Sequence, residues 1–342
     1  MRFRKEQQRS KTLMNCFIWI LVVLFCFLLV VGLDYGVNSA GWMKGSASKK
    51  SKYEEEEEAR RQLSIAMKEK ESKLKEKFRF EFGEVIRKKI GTTDAKLPSD
   101  MQALSLLSDV YSSYGEGVNF IQVGACDGEF LASNDPIQKL LQKENWHGVL
   151  MEPVPYLFEK LKKNVDSQMF KYKERLYLMN AALSDNDGQQ TFYIVNEKFA
   201  QEKPDETHAL KHQIGSFNKN HIVKHLIKLR RRNELKLEVE DYIQPIGVRS
   251  ATPGTVVREF FQSGLAVRNG NIDVLLIDAE GYDFVVLKSF MNMPSLKPLI
   301  VIYENLHLSE ADQISAEALL TSFGYSVWPV GWNSIGVKIA DL

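Results

Sequence analysis

The stretch Val118–Gly128, VNFIQVGACDG, decides the fold. A short apolar run stops at a glycine, and a Cys-Asp-Gly turn follows. That is the form of a buried strand whose carboxyl end opens into a tight loop. The form repeats along the chain. Gly148–Met151 (GVLM) is closed by Glu152-Pro153, and Tyr156–Asn164 then follows helical spacing. Leu176–Leu183 (LYLMNAAL) and Thr191–Val195 read as further strands. Ile272–Ile277 (IDVLLI) runs into Asp278, and Phe284–Phe290 reads as helix. Leu299–Tyr303 (LIVIY) runs into Glu304, and Glu310–Phe323 is a helix closed by Gly324. Tyr325–Val330 and Ser334–Ile339 form a terminal hairpin around Gly331-Trp332-Asn333. Strands alternating with helices predict an α/β fold, a doubly wound and mostly parallel sheet with a C-terminal antiparallel hairpin.

In such sheets ligands sit beyond the carboxyl ends of the strands. Those ends carry Gly124–Gly128, Glu152, Asn180–Ala182, Asp278-Ala279-Glu280-Gly281 and Glu304-Asn305. The glycines do not follow G-x-G-x-x-G or G-x-x-x-x-G-K-[ST], so dinucleotide and phosphate-loop readings lose ground. A small ligand with a sugar and no pyrophosphate fits better. Glu152 lies 24 residues beyond Gly128, where a carboxylate can accept ribose hydroxyls. Taken singly, the glycines read equally as a turn and Glu152 as a solvated acid. Their order along the chain favours nucleoside binding.

The full chain has 342 residues, with 45 Lys and Arg against 44 Asp and Glu, a net charge of +1. A polycation built to coat nucleic acid is excluded, and no nucleic-acid partner is expected. Three cysteines exclude a disulfide-rich scaffold. The charge is segregated: residues 44–90 carry a net +5, whereas 91–342 hold 25 basic against 32 acidic residues.

Residues 13–33, LMNCFIWILVVLFCFLLVVGL, contain no charge. At ~1.5 Å per residue this run spans about 31 Å, the thickness of a bilayer core. It is longer than the apolar core of a cleaved signal peptide, the competing reading. Five basic residues precede it, so residues 1–12 are expected in the cytosol. The result is a single-pass type II protein of the Golgi or endoplasmic reticulum, with the bilayer as partner. Residues 34–90 read as a partly helical stalk. Leu63, Met67, Leu74, Phe78, Phe82 and Ile86 form a narrow stripe along it. The stripe falls short of three heptads, which favours a helical spacer packing on the body over self-association as a coiled coil.

The ordered set FIQVGACDG, GVLMEPVPYLFEKLKKN, LMNAALSDNDGQQTFY, IDVLLIDAEGYDFVVLKSF and LIVIYEN resembles the FkbM family of S-adenosylmethionine-dependent methyltransferases. Its strongest piece is Ile277–Asp283 (IDAEGYD), similar to the family's I-D-x-E-G-x-[ED] signature. The resemblance covers roughly residues 117–305 of a domain spanning 91–342. The long segment at about 196–245 and residues 1–110 have no counterpart in the minimal domain. The resemblance implies a class I, Rossmann-like methyltransferase. It implies S-adenosyl-L-methionine held by Val123, Gly124, Ala125, Cys126, Asp127 and Gly128, with Glu152 at the ribose. Asn180, Ala181, Ala182 and Asp185 would border the adenine. It also implies O-methylation of hydroxyls on sugars, glycans or related metabolites.

An alcohol is a weak nucleophile, and a base within hydrogen-bond reach assists it. Asp278, Glu280, Glu304 and His212 are the candidates. His208/His212 and His221/His225 are i, i+4 pairs, but zinc needs three or four ligands and no third is evident in the sequence. Asp278 and Glu280 could hold Mg²⁺ or serve as a helix cap and first-turn acid. No metal ligand is therefore assigned, and a required divalent cation is not favoured. The run HALKHQIGSF, 208–217, and the following HIVKHLIKLRRR read as an acceptor-recognition insertion. Lys224, Lys228, Arg230, Arg231 and Arg232 form a patch suited to an anionic sugar or headgroup, or simply a solvated helix face. The rival reading from another class is a membrane-tethered, non-catalytic binding or scaffold protein on a degenerate methyltransferase fold.

Overall fold

Val118–Val123 is a strand of six buried residues, β1, at the centre of a seven-stranded sheet. The computed structural model describes residues 45–90, 97–128, 136–141, 145–167, 174–206, 211, 213–232, 234–268 and 271–339. Residues 1–33, with the expected tail and membrane run, lie outside them, as do His208 and His212. No described helix is long and apolar enough to cross a membrane. The chain divides into two units, 1–67 and 68–342.

β1 pairs in parallel with β2 (Trp146–Met151) on one side and β7 (Val274–Ile277) on the other. β3 (Leu176–Met179) extends the first side, and β8 (Ile300–Glu304) the second. The hairpin β9 (Ser326–Val330) and β10 (Asn333–Val337) completes the sheet, β10 lying antiparallel to β8. The order is β3-β2-β1-β7-β8-β10-β9, a mostly parallel sheet consistent with a methyltransferase fold.

Side chains alternate across this sheet. Phe120, Leu276 and Ile302 enter one apolar layer, and Ile121, Leu275 and Val301 the other. The second layer is closed by helices α7 (Pro253–Gln262), α8 (Asp283–Met291) and α9 (Glu310–Ser322). The first is closed partly by α3 (Pro136–Leu141) and α4 (Pro155–Ser167) and partly by two earlier helices.

The earliest, α1, spans Gly45–Ile90. In its first unit, Leu63 and Met67 are exposed. In the second, Leu74, Phe78, Phe82 and Ile86 recur every four residues and are buried in the first layer. Phe82 stacks on Trp328 of β9 at 6.2 Å. Helix α2 (Asp100–Ser113) begins at a capping box, in which Ser99 and Gln102 each accept the other's backbone N–H. Its Tyr111 hydroxyl donates to buried Asp273, just before β7, at 2.9 Å.

Leu176–Leu183 is not one strand. It breaks at Asn180-Ala181, and β4 (Ala182–Leu183) joins a second sheet with β6 (Ile243–Ala251) and β5 (Gly188–Val195), in the order β4-β6-β5. The break follows from hydrogen bonding: the Ala181 N–H turns back to the Met179 carbonyl, and the Asn180 side chain binds the carbonyls of Glu152 and Pro153. The segment 196–245 folds against this small sheet. Helices α5 (Glu197–Glu202) and α6 (Lys219–Arg231) bury Phe199, Ile222 and Leu226 with Val195 and Tyr242.

Candidate functional site

The carboxyl ends of β1, β2, β7 and β8 open into one cavity of about 760 Å³, within the usual range for small-molecule sites. β1 ends at Gly124, with φ +83°. A β-carbon there would fall 1.9 Å from the Asp278 carbonyl oxygen, so the β1 and β7 ends approach as closely as backbone allows. Cys126 is also in the left-handed region, at φ 50°. That turn aims its N–H at Glu152 Oε2, 3.0 Å away. Glu152 Oε1 accepts the Val154 N–H at 2.8 Å. The carboxylate is thus fixed at both oxygens in the cavity wall. Burial pushes its pKa up to about 8, against the pull of those two N–H groups, and the charges of Asp127 and Asp278 add to the rise. Burial also pushes the Cys126 thiol up, so it is held as a neutral thiol.

Of the residues expected to hold a cofactor, Val123, Gly124, Cys126, Glu152, Ala181 and Ala182 line this cavity. Ala125, Asp127, Gly128 and Asn180 stand behind its wall, where they hold the turns. The Ala125 N–H binds the Met151 carbonyl, the Gly128 N–H closes on Ala125, and the Asp127 carbonyl accepts from Asn164. Asp185 is exposed and does not line the cavity. Phe192 and Phe217 add an aromatic wall, their rings 5.1 Å apart, and Phe217 also lies 5.2 Å from Tyr282. Phe217 ends the run read as an acceptor-recognition insertion, whereas nothing in the sequence marked Phe192 of the small sheet as its partner.

The opposite wall is acidic. Asp278, Glu280 and Glu304 all line the cavity. The helix-cap reading of Asp278 and Glu280 is corrected: Tyr282 precedes α8 without a side-chain cap bond, and the first-turn acid is Asp283. Its carboxylate accepts the N–H groups of Ala279 at 2.9 Å and Gly281 at 3.0 Å. Burial raises Asp283 to about 6 against the pull of those bonds. Asp278 and Glu280 are thereby left at the cavity. Glu280 sits at φ 50°, a conformation that costs ~1–3 kcal/mol for a non-glycine residue. Ser216 Oγ donates to its carbonyl at 3.2 Å, tying the loop to the small sheet. Burial pushes Glu280 and Glu304 well above the ordinary carboxylate range, and the neighbouring charge of Asp278 adds to both. Glu304 is 8 % exposed, and among the described residues its Oε2 has no hydrogen-bond partner.

Three histidines close this end. His221 and His225 lie one turn apart on α6, and His307 follows β8. Their rings stand 4.7, 5.0 and 5.0 Å apart. His221 Nε2 is 3.2 Å from Glu280 Oε2, and His307 Nε2 is 3.6 Å from the same oxygen and 3.8 Å from Glu304 Oε1. Burial, reinforced by the neighbouring imidazoles and by Lys224 and Lys228, lowers His221 to about 3 and His225 to about 4. Burial and Lys228 lower His307 too. All three are neutral at pH 7. In the basic patch, Arg230 pairs with Glu238, and Arg232 stands 3.9 Å from Glu234.

Residues 122–327 match the family model described as the methyltransferase FkbM domain. The chain belongs to that family. The match begins inside β1 and ends inside β9, so it contains the carboxyl ends of β1, β2, β7 and β8. Methyl transfer is the chemistry of the FkbM domain. Among solved structures, the chain is similar to the methyltransferase FkbM from Methylobacillus flagellatus KT, at 10% identity and a TM-score of 0.36. The aligned part covers 70% of this chain and 55% of that one. No curated protein matches the sequence significantly.

The residues present suit S-adenosylmethionine. Buried Glu152 offers a fixed acceptor at the cavity, Gly124 lets the turn after β1 close against the end of β7, and Ala181 and Ala182 with the edge-to-face Phe192–Phe217 pair supply an apolar wall.

Proposed function

We propose that the protein is an S-adenosylmethionine-dependent O-methyltransferase acting on a hydroxyl of a sugar, glycan or related metabolite. The observation that carries this reading is a single cavity with Gly124 and Glu152 on one wall and Glu280, Glu304 and His307 on the other. Gly124 and Cys126 would form the cradle, Glu152 would accept the ribose hydroxyls, and Ala181 and Ala182 would border the adenine. When bound, the sulfonium compound supplies an activated methyl group. The chain's own work is then to bring an acceptor oxygen into line and to exclude water. The acidic wall suits a cationic sulfur nearby. Asp278, Glu280 and Glu304 are the groups placed to take the hydroxyl proton, and burial with the neighbouring Asp278 charge raises the proton affinity of Glu280 and Glu304.

The segment 13–33 anchors the chain in this proposal, with the body in the lumen of the secretory pathway. Its length and lack of charge, and the basic residues before it, support that reading.

The decisive experiment is a thermal shift with S-adenosylmethionine and S-adenosylhomocysteine. Ligand at ~100 times its dissociation constant adds about 2.7 kcal/mol of stability. A shift with both, followed by label transfer from a methyl-labelled donor to a glycan pool, supports the proposal. No shift with either ligand would return the protein to the non-catalytic class. Protease protection in intact vesicles tests the lumenal placement, and a digested body would end it.

A further inference from the structure

We propose that His221, His225 and His307, with Glu280 as a fourth donor, bind a divalent transition ion of the Zn²⁺ class at the wall of the cavity. The two α6 histidines are an i, i+4 pair, and such a pair alone is weak evidence. The fold supplies the missing ligand. His307 comes from the turn after β8, 82 positions beyond His225, and its ring contacts both others at 5.0 Å.

One ligand nitrogen from each histidine lies within 4.8 Å of the others. Zn–N bonds of ~2.0–2.1 Å set tetrahedral nitrogens roughly 3.3 Å apart, a spacing that modest ring rotations reach from here. Glu280, Glu304 and His307 form a second trio of the same spread, so His307 is shared between nitrogen and oxygen donors. His225 and Glu304 at this wall lack partners that an ion would supply. Among the described residues neither ring nitrogen of His225 is hydrogen-bonded, and buried Glu304 Oε2 is likewise unpaired.

The donor set selects the ion. Three imidazoles suit Zn²⁺ and its borderline neighbours, whereas Mg²⁺ and Ca²⁺ take oxygen cages. Among the described residues the one all-oxygen trio, Asp278, Asp283 and Glu304, is compromised because Asp283 already serves the Ala279 and Gly281 N–H groups. His225, His307, Glu280 and Glu304 all line the cavity, so a further position on the ion would face it. If the methyl-transfer reading holds, that position suits the acceptor's hydroxyl oxygen, whose acidity the ion would raise. Ion binding itself does not depend on that reading.

The test uses the full chain in detergent, stripped with a chelator. It is titrated with Zn²⁺ by calorimetry and with Co²⁺ by visible absorption. One equivalent of each is expected, with the intense d–d bands of a four-coordinate, nitrogen-ligated cobalt. His225→Ala and His307→Ala should each weaken Zn²⁺ by more than the ~10–100-fold that loss of an outer-shell partner costs. His147→Gln, outside the cluster, should leave it unchanged. Uptake well below one equivalent, preference for Mg²⁺, or undiminished Zn²⁺ affinity in both folded alanine variants overturns the proposal. Should either variant fail to fold, X-ray absorption of the wild-type zinc form decides, with fewer than three imidazoles counting against the site. S-adenosylhomocysteine shifts run on the same samples keep the two readings apart: metal uptake without a nucleoside shift sinks only the methyl-transfer proposal.

Discussion

A side chain on Gly124 would collide with the Asp278 carbonyl oxygen, its β-carbon only 1.9 Å away. The turn after β1 and the turn after β7 are therefore shaped against each other. Gly124→Ala should lose ~1–3 kcal/mol from its left-handed backbone alone, and the clash adds to that. Chemical denaturation measures the loss. Donor affinity of any folded remainder should fall as well, and retained affinity would remove this turn from the site.

Glu152 makes stability depend on pH. Its ordinary value is 4.5, and burial raises it to about 8 in the fold. Between those values the folded state binds more proton than the unfolded state, so unfolding free energy falls as pH rises. The contribution is complete below 4.5 and is lost as pH passes through about 8. The melting temperature of the ligand-free protein should decline from pH 6 to pH 9, conditions spanning the upper part of that window. Glu152→Gln should make the decline shallower. An equal slope in the variant would place the titration elsewhere.

Donor binding and turnover should separate between the two walls. Glu152→Ala should weaken S-adenosylhomocysteine, read by calorimetry. Glu280→Gln or Glu304→Gln should leave that affinity within a few-fold and lower kcat by ~10²-fold or more, the scale of general-base assistance. Unchanged turnover in both would take the acidic wall out of the chemistry.

The stripe along α1 should show a sharp boundary. Phe78 is 0 % and Phe82 1 % exposed, whereas Leu63 is 62 % exposed. Phe78→Ala or Phe82→Ala should cost ~3–5 kcal/mol, as other buried aromatics do. Leu63→Ala should stay within ±0.5 kcal/mol, the usual range for surface changes. Equilibrium unfolding of the three variants in parallel tests the contrast.

The central strands were legible because they are buried on both faces and read as unbroken apolar runs, as in LLI of β7 and IVI of β8. β6 was not. IQPIGVRSA contains Pro245 and Gly247 and is exposed over much of its first half, in the middle of a small mixed sheet. The split at Asn180-Ala181 was hidden for a similar reason: LYLMNAAL is apolar but for Asn180, and only the side-chain bonds of that residue reveal the turn. At the site, strand-end acids could be listed from sequence, but their division of labour could not. Asp283, Asp278 and Glu280 differ in role only through which backbone N–H groups they face. The meeting of His307 with His221 and His225 depends on α6 packing across the end of β8, which no local spacing encodes.

The burial of Leu74, Phe78, Phe82 and Ile86 has a practical corollary. Cutting the protein down to residues 122–327 would strip the floorboards from one side of the central sheet and remove Trp328 with most of β1 and β9 and all of β10, leaving the remaining strands bare to water. Such a fragment should be sticky and short-lived, and its silence in an assay would say nothing about the whole enzyme. A workable soluble piece has to begin before residue 68, ahead of the helix turns that seal that face.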